Sequence, residues 1–293
     1  MSDFVKKIVV SYPKLKYELL KAQTFDMAHY GFPPIYYTMM ETDEQRVNSY
    51  KRTFAHYNHL KDAVVCEAGV GTLALTQHYL PYVKKAYLIE NNPNVIDFIK
   101  AELKRNGWED KVVLIHGDAM KTDLPEQVDF LIGELMSIYC ANEYQVQIFK
   151  HLRQFLKPDG KLIPEKIINV AQVGEAEFEE EYTHYPIMFT RHLPMFLSTL
   201  GIVNTIDLYK EEALTINSKT QMTALLSGKA NAVYMSSWVQ MAEGINFTGT
   251  DSLMPPTVKL LDQTYDLKAG QSFELNSSFG YGTNLDLAKF SVR

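Results

Sequence analysis

The sequence predicts an α/β protein: a doubly wound, mostly parallel sheet, preceded by helices and followed by a strand-rich unit. Three observations carry this reading. Short apolar runs alternate with helix-period segments from Ala63 to Leu156, and a glycine turn, Gly69 to Gly71, follows the first run. Beyond about Pro164, short β-favouring runs are separated by Gly, Asn, Asp and Ser. The expected division is a helical segment over 1–59, a sheet domain over 60–164 and a β-rich domain over 165–293.

Composition narrows the class before any motif is read. With 293 residues, 46% hydrophobic and 22% charged, the chain buries a core without disulfides, which excludes disorder, collagen and coiled coil. The 29 basic and 35 acidic side chains leave a formal charge of -6, so neither nucleic acid nor an anionic membrane is an expected partner. Cys66 and Cys140 each lie in an apolar stretch, as reduced thiols do, and no metal site is expected. Ile8, Val9 and Val10 are too short a run for a secretory signal, and no stretch reaches the roughly 18 apolar residues of a membrane span. A soluble, cytoplasmic protein is expected.

The elements follow in order. Tyr17 to about His59 has helical spacing, interrupted by Gly31–Pro34. Ala63–Cys66 is a buried strand, and Leu73–Leu80 a helix. Ala86–Ile89 is the second strand; Asn92 caps the next helix, with Pro93 in its first turn. Val112–Ile115 and Val128–Ile132 are strands three and four, and a helix from about Glu143 to Leu156 presents Val146, Phe149, Leu152 and Phe155 on one face. Lys157–Gly160 should turn the chain. Short strands are then expected at 167–173, 220–226, 231–238, 258–261, 272–275 and 285–292. Between them, Pro194–Tyr209 is too apolar for an exposed loop and reads as a core helix or an interface arm. The acids from Glu175 to Glu181 read as a solvated strand end or surface helix.

Four places could carry chemistry. Gly69, Gly71 and Ala74 fit a G-x-G-x-x-G/A turn, and Glu90, about twenty residues on, stands where a carboxylate would hold ribose hydroxyls; a purely structural turn is the alternative. Glu67, just before the turn, suits a cationic methyl donor and repels a pyrophosphate, unless it is only an acid at a helix start. Gly117, Asp118 and Ala119 follow the third strand, where an adenine could be gripped. After the fourth strand, Glu134 and Glu143 flank a loop that can fold back and face both carboxylates into one pocket, a geometry that grips a guanidinium. Alternatively Glu143 is the first-turn acid of a helix capped by Asn142.

Together these residues resemble the protein arginine N-methyltransferases: a class I, Rossmann-like fold that uses S-adenosyl-L-methionine and carries a β-barrel-like domain. The similarity runs through Met40, Asp43 and Arg46 in the helix before the sheet, the stretch Val64–Thr72, Glu90, and the loop holding Glu134, Met136 and Glu143. The resemblance implies that Arg46, Glu67, Gly69, Gly71, Glu90, Asp118, Ala119 and Glu134 bind the cofactor and that Glu134 and Glu143 are catalytic. It also implies that Met40, Asp43, Met136, Ser237 and Trp238 meet the substrate. A homodimer through Pro194–Tyr209 is a further implication, as is N-methylation of a guanidino nitrogen. The chain departs from the family pattern at Ser237 (histidine in the family), at Leu135 (tryptophan) and at Thr24–Ala28 (two tyrosines lost). An insertion at Pro33–Tyr37 and a shorter C-terminal domain depart as well. Two other readings therefore stand: methylation of a small-molecule amine, guanidine or hydroxyl, and an inactive binding module. Trp238 as barrel core is the bland alternative to a substrate contact.

Overall fold

The computed structural model describes residues 37, 40–178, 182–187, 193–249 and 254–293. Most of the expected helical lead-in, the Thr24–Ala28 segment, Pro33–Tyr36 and Glu179–Glu181 lie outside them.

Strand β1 (Val64–Ala68) is buried at every residue, as a central parallel strand must be. It pairs in parallel with β2 (Lys85–Glu90) on one side and β4 (Val128–Gly133) on the other. Strands β3 (Val112–His116) and β5 (Leu156–Ile163) complete the order β3-β2-β1-β4-β5. Helix α1 (Glu44–His56) buries Tyr50 and Phe54, and the Phe54 ring meets that of Tyr79 at 5.2 Å. The Tyr50 hydroxyl donates to the Gly133 carbonyl at 2.9 Å, which ties α1 to the end of β4. Helix α2 (Pro93–Arg105) starts as expected, with the Asn92 side chain accepting from the Asn94 N–H at 3.0 Å.

The structure corrects four local expectations. No helix spans Leu73–Leu80: Leu73 sits at φ +67, which breaks the helical ladder at its origin, and only the 3₁₀ turn Thr76–His78 forms. Helix α3 covers Gln145–Leu152 alone and passes into the 3₁₀ turn Arg153–Phe155; Asn142 does not cap it, because its Oδ1 accepts from Leu285 N–H instead. Lys157–Gly160 is an irregularity within β5, where Val128 pairs Leu156 but Phe130 pairs Lys161. Pro194–Tyr209 is neither helix nor arm. It contains strands β8 (Met195–Phe196) and β9 (Gly201–Asp207), both paired with β6 (Lys166–Glu175). Alternation with a shift of register against β6 explains its apolar content: Val203, at the shift, and Ile206, beyond it, are buried while Ile202 is exposed.

The rest of the chain is antiparallel and barrel-like. Strands β7 (His184–Pro186), β13 (Thr257–Leu267), β11 (Gly228–Ala242), β6 and β8 form one sheet, to which β12 (Ile245–Thr248) and β9 add. Strands β10 (Thr215–Thr223), β14 (Ser272–Gly280) and β15 (Lys289–Val292) form a second, smaller sheet. One continuous apolar core joins both units. Among the described residues no helix is long and apolar enough to cross a membrane.

Candidate active site

Parallel strands deliver their carboxyl ends to one edge of the sheet, and the chemistry-bearing residues sit there. After β1 the chain turns through Gly69 at φ +71 and Gly71 at φ +53, a left-handed path that favours glycine. A Cβ on Gly69 would stand 2.5 Å from Leu135 Cδ2, and one on Gly71 would stand 2.7 Å from the Tyr37 ring. Both positions therefore lack room for a side chain. Glu90, buried at the end of β2, accepts from Gly71 N–H at 2.8 Å and Asn92 N–H at 2.7 Å. The Asn92 amide also donates to the Tyr37 hydroxyl at 2.9 Å. Beyond β3, Asp118 accepts from Met120 N–H at 2.9 Å and pairs with Lys121 at 3.1 Å, while Ala119 is buried.

Helix α1 supplies the cation. Asp43 is its N-cap and accepts from Arg46 N–H at 3.0 Å, which fixes where the first turn begins. The buried Arg46 donates through Nη1 to Glu134 Oε2 and through Nη2 to the Met40 carbonyl at 2.6 Å. Its Nε is buried and has no partner among the described residues. Glu134 leaves β4 on a backbone held by Gln145, whose Oε1 accepts from Leu135 N–H at 2.9 Å. Phe149 closes the space beside Gly133, where a Cβ would meet its ring at 2.8 Å.

The two loop acids share this site. Burial raises the Glu134 pKa above the usual carboxylate range, outweighing the opposing pull of Arg46 and of the Met136 N–H, and the charge of Asp43 adds to the rise. Glu143 is pushed up to about 8, first by burial and then by the Glu134 charge, with Arg46 opposing. No hydrogen bond reaches the Glu143 carboxylate among the described residues. One buried arginine facing two acids leaves the pair holding a proton near neutral pH. A second cation entering between them would let both acids ionise.

Other sequence-derived candidates lie elsewhere. The Glu67 carboxylate is buried and accepts from Thr76 Oγ1 at 2.7 Å and Tyr79 Oη at 2.5 Å; burial, resisted by those hydroxyls, raises it to about 7. It is thus committed to protein hydroxyls and is only partly charged at neutral pH. Ser237 is fully buried, between the Tyr139 N–H and the Asn169 side chain. Trp238, next along β11, points to the opposite face and is 38% exposed, which removes the core reading. Met136 is buried on the loop. Sequence reasoning missed Tyr37, Gln145 and Asn169. Tyr37 and Gln145 reach the site only through contacts distant in sequence, and nothing local marks them.

Two solved structures share the architecture. An enzyme–prozyme heterotetramer of Trypanosoma brucei PRMT1 with AdoHcy superposes with TM-score 0.70 at 18% identity, covering 82% of this chain and 86% of that one. Protein arginine methyltransferase 10 of Arabidopsis thaliana superposes with TM-score 0.69 at 15% identity, covering 82% and 87%. The parallel sheet with its glycine turn, followed by the barrel-like unit, is the fold this chain shares with those two methyltransferases.

Sequence comparison narrows the class. A family model described as PRMT5 arginine-N-methyltransferase matches residues 34–163. The chain is 31% identical over 159 residues to the histone-arginine methyltransferase CARMER of Anopheles gambiae, covering 52% of this chain and 25% of that protein. It is 26% identical over 262 residues to an uncharacterized protein of Methanocaldococcus jannaschii, covering 89% of this chain and 97% of that protein. Over residues 34–163 the chain is similar to the protein arginine methyltransferases. It spans nearly the whole archaeal relative but only a quarter of the named insect enzyme.

Proposed function

We propose that the chain transfers a methyl group from S-adenosylmethionine to a guanidino nitrogen of an arginine-like acceptor. The observation that carries this is the set Arg46, Glu134 and Glu143, one buried cation facing two largely enclosed acids of raised pKa. Such a set is one positive charge short, and a planar guanidinium supplies that charge with donors for both carboxylates.

The residues at the sheet edge fit the cofactor. The buried Nε of Arg46, which has no partner among the described residues, suits a carboxylate, Glu90 suits vicinal ribose hydroxyls, and the left-handed glycine turn leaves backbone bare of side chains. Asp118 and Ala119, beyond β3 at the same sheet edge, would hold the purine edge. When bound, S-adenosylmethionine supplies an electrophilic methyl group on a sulfonium.

The chain's own part is alignment and proton handling. Glu134, held by Arg46, orients the acceptor. Glu143 gives up its proton as the guanidinium enters, then accepts at its carboxylate the proton displaced when the nitrogen–carbon bond forms. Both acids also draw positive charge away from the attacking nitrogen.

Labelled cofactor offered with arginine-rich peptides, free guanidino compounds and a metabolite extract tests the reading. Transfer to a guanidino nitrogen is expected, and Glu134→Gln should lose it by orders of magnitude while still binding cofactor product in calorimetry. Undiminished transfer by Glu134→Gln refutes the assigned role, and transfer to hydroxyl acceptors alone refutes the acceptor class.

A further inference from the structure

Three adjacent strands of the large antiparallel sheet place polar residues side by side where apolar ones would be expected. On β6, Asn169 pairs in register with Ser237 of β11 and with Asn204 of β9. Asn169 and Ser237 are fully buried. Burying such groups costs stability unless each is bonded, and here each one is.

Their hydrogen bonds run in one direction. The Tyr139 N–H donates to Ser237 Oγ at 3.0 Å, and the Ser237 hydroxyl donates to Asn169 Oδ1 at 2.7 Å. Asn169 Nδ2 then donates to Asn204 Oδ1 at 3.0 Å, and Asn204 Nδ2 donates to Tyr281 Oη at 2.6 Å. Each member uses its donor on the next, so the orientation of the whole line is fixed at both ends.

The line begins on the loop that carries the paired glutamates. There Tyr139 and Cys140 take φ +56 and φ +52, two successive non-glycine residues in the left-handed region. Such a backbone is disfavoured for side-chain-bearing residues and persists only where its surroundings over-determine it. The surroundings are the barrel-like unit. Besides Ser237, it holds the loop through the Gly282 N–H to the Cys140 carbonyl at 2.9 Å, the Tyr139 hydroxyl to the Val170 carbonyl at 2.9 Å, and the Leu285 N–H to Asn142 Oδ1 at 3.0 Å. Ser237 alone among these acts on the strained turn through a side chain anchored in a further buried line.

We infer that Ser237, Asn169, Asn204 and Tyr281 are positioning residues, a polar line through the antiparallel sheets that holds the left-handed loop so that Glu134 and Glu143 face one site. This rests on the proposed role of the two acids in gripping the acceptor. It assigns to Ser237 a place behind the loop rather than against the substrate.

Four variants of the full chain test it: Ser237→Ala, Ser237→Thr, Tyr281→Phe and Ser277→Ala. The last is a control, because Ser277 is buried, its hydroxyl has no hydrogen-bond partner among the described residues, and it lies outside the line. Ser237→Ala should lower kcat roughly tenfold to a hundredfold through misplaced carboxylates and leave the cofactor KM unchanged. Tyr281→Phe should give a smaller loss in the same direction, Ser237→Thr should restore most of the rate, and Ser277→Ala should change nothing. A second readout needs no turnover. Carbon-13 titration of the glutamate carboxyls, with Glu143 assigned from Glu143→Gln, should show its elevated titration falling towards the ordinary range in Ser237→Ala and not in Ser277→Ala. An unmoved titration in Ser237→Ala, or equal effects of Ser237→Ala and Ser277→Ala, overturns the inference. Failure of the wild type to methylate any guanidino compound overturns the proposed function instead, and the titration still decides the line.

Discussion

Replacing Glu143 by Gln should make the protein more stable in alkali and no more stable in acid. The folded chain holds a proton on Glu143 up to about pH 8, against the ordinary 4.5. Folding therefore gains from this group below pH 4.5, and the gain is lost as pH rises through 8. At about 1.4 kcal/mol per pH unit the ceiling is about 5 kcal/mol, and partial exposure of the side chain reduces it to about 2 kcal/mol. Glutamine keeps the shape without the charge. At pH 4 the variant and the wild type should melt nearly together; at pH 9 the variant should melt about 3 °C higher, the shift that 2 kcal/mol gives at about 2.1 cal/mol/K of unfolding entropy per residue. Thermal melts at the two values, each run by fluorescence and circular dichroism, measure it. Equal melting at pH 9, or a less stable variant there, would show that the carboxylate is not held against its own ionisation, and the proton-sharing account of the acid pair would fail with it.

Binding of a guanidino acceptor should release a proton at pH 7, because its cation lets Glu143 ionise; calorimetry in buffers of differing ionisation enthalpy reads the release directly, and zero release contradicts the assignment. Gly71→Ala should weaken cofactor product binding and lower stability, since the backbone is at φ +53 and the new methyl would meet the Tyr37 ring; unchanged binding and melting would count against that packing. Asp43→Ala should cost about 1 kcal/mol by removing the side-chain cap of α1, measured by urea unfolding, and should also loosen Arg46 one turn on.

Local chemistry carried much of the fold. The alternation of apolar runs with helical segments, Asn92 with Pro93 at the start of α2, and most of the strand runs beyond Pro164 depend on neighbours within a few residues, and the structure reproduces them; the exceptions are Leu285–Leu287, a 3₁₀ turn ahead of β15, and the stretch after Thr223, where β10 ends. Leu73–Leu80 shows where such reasoning stops. Its apolar spacing is helical, but the segment follows a left-handed turn and bends to bring Thr76 and Tyr79 onto Glu67. Pro194–Tyr209 fails for a related reason: the residues that pair with it, on β6, lie far back in the chain.

The sequence by itself determined which residues are available at the carboxyl edge of a parallel sheet, because strand order, turn glycines and loop length are written in short-range patterns. Only the tertiary structure decided their states. It placed Arg46 on Glu134, pushed the Glu143 proton affinity upward, and tied Ser237 to the back of the loop. Desolvation and cross-strand register set these outcomes, and both depend on groups that meet only after the chain has folded.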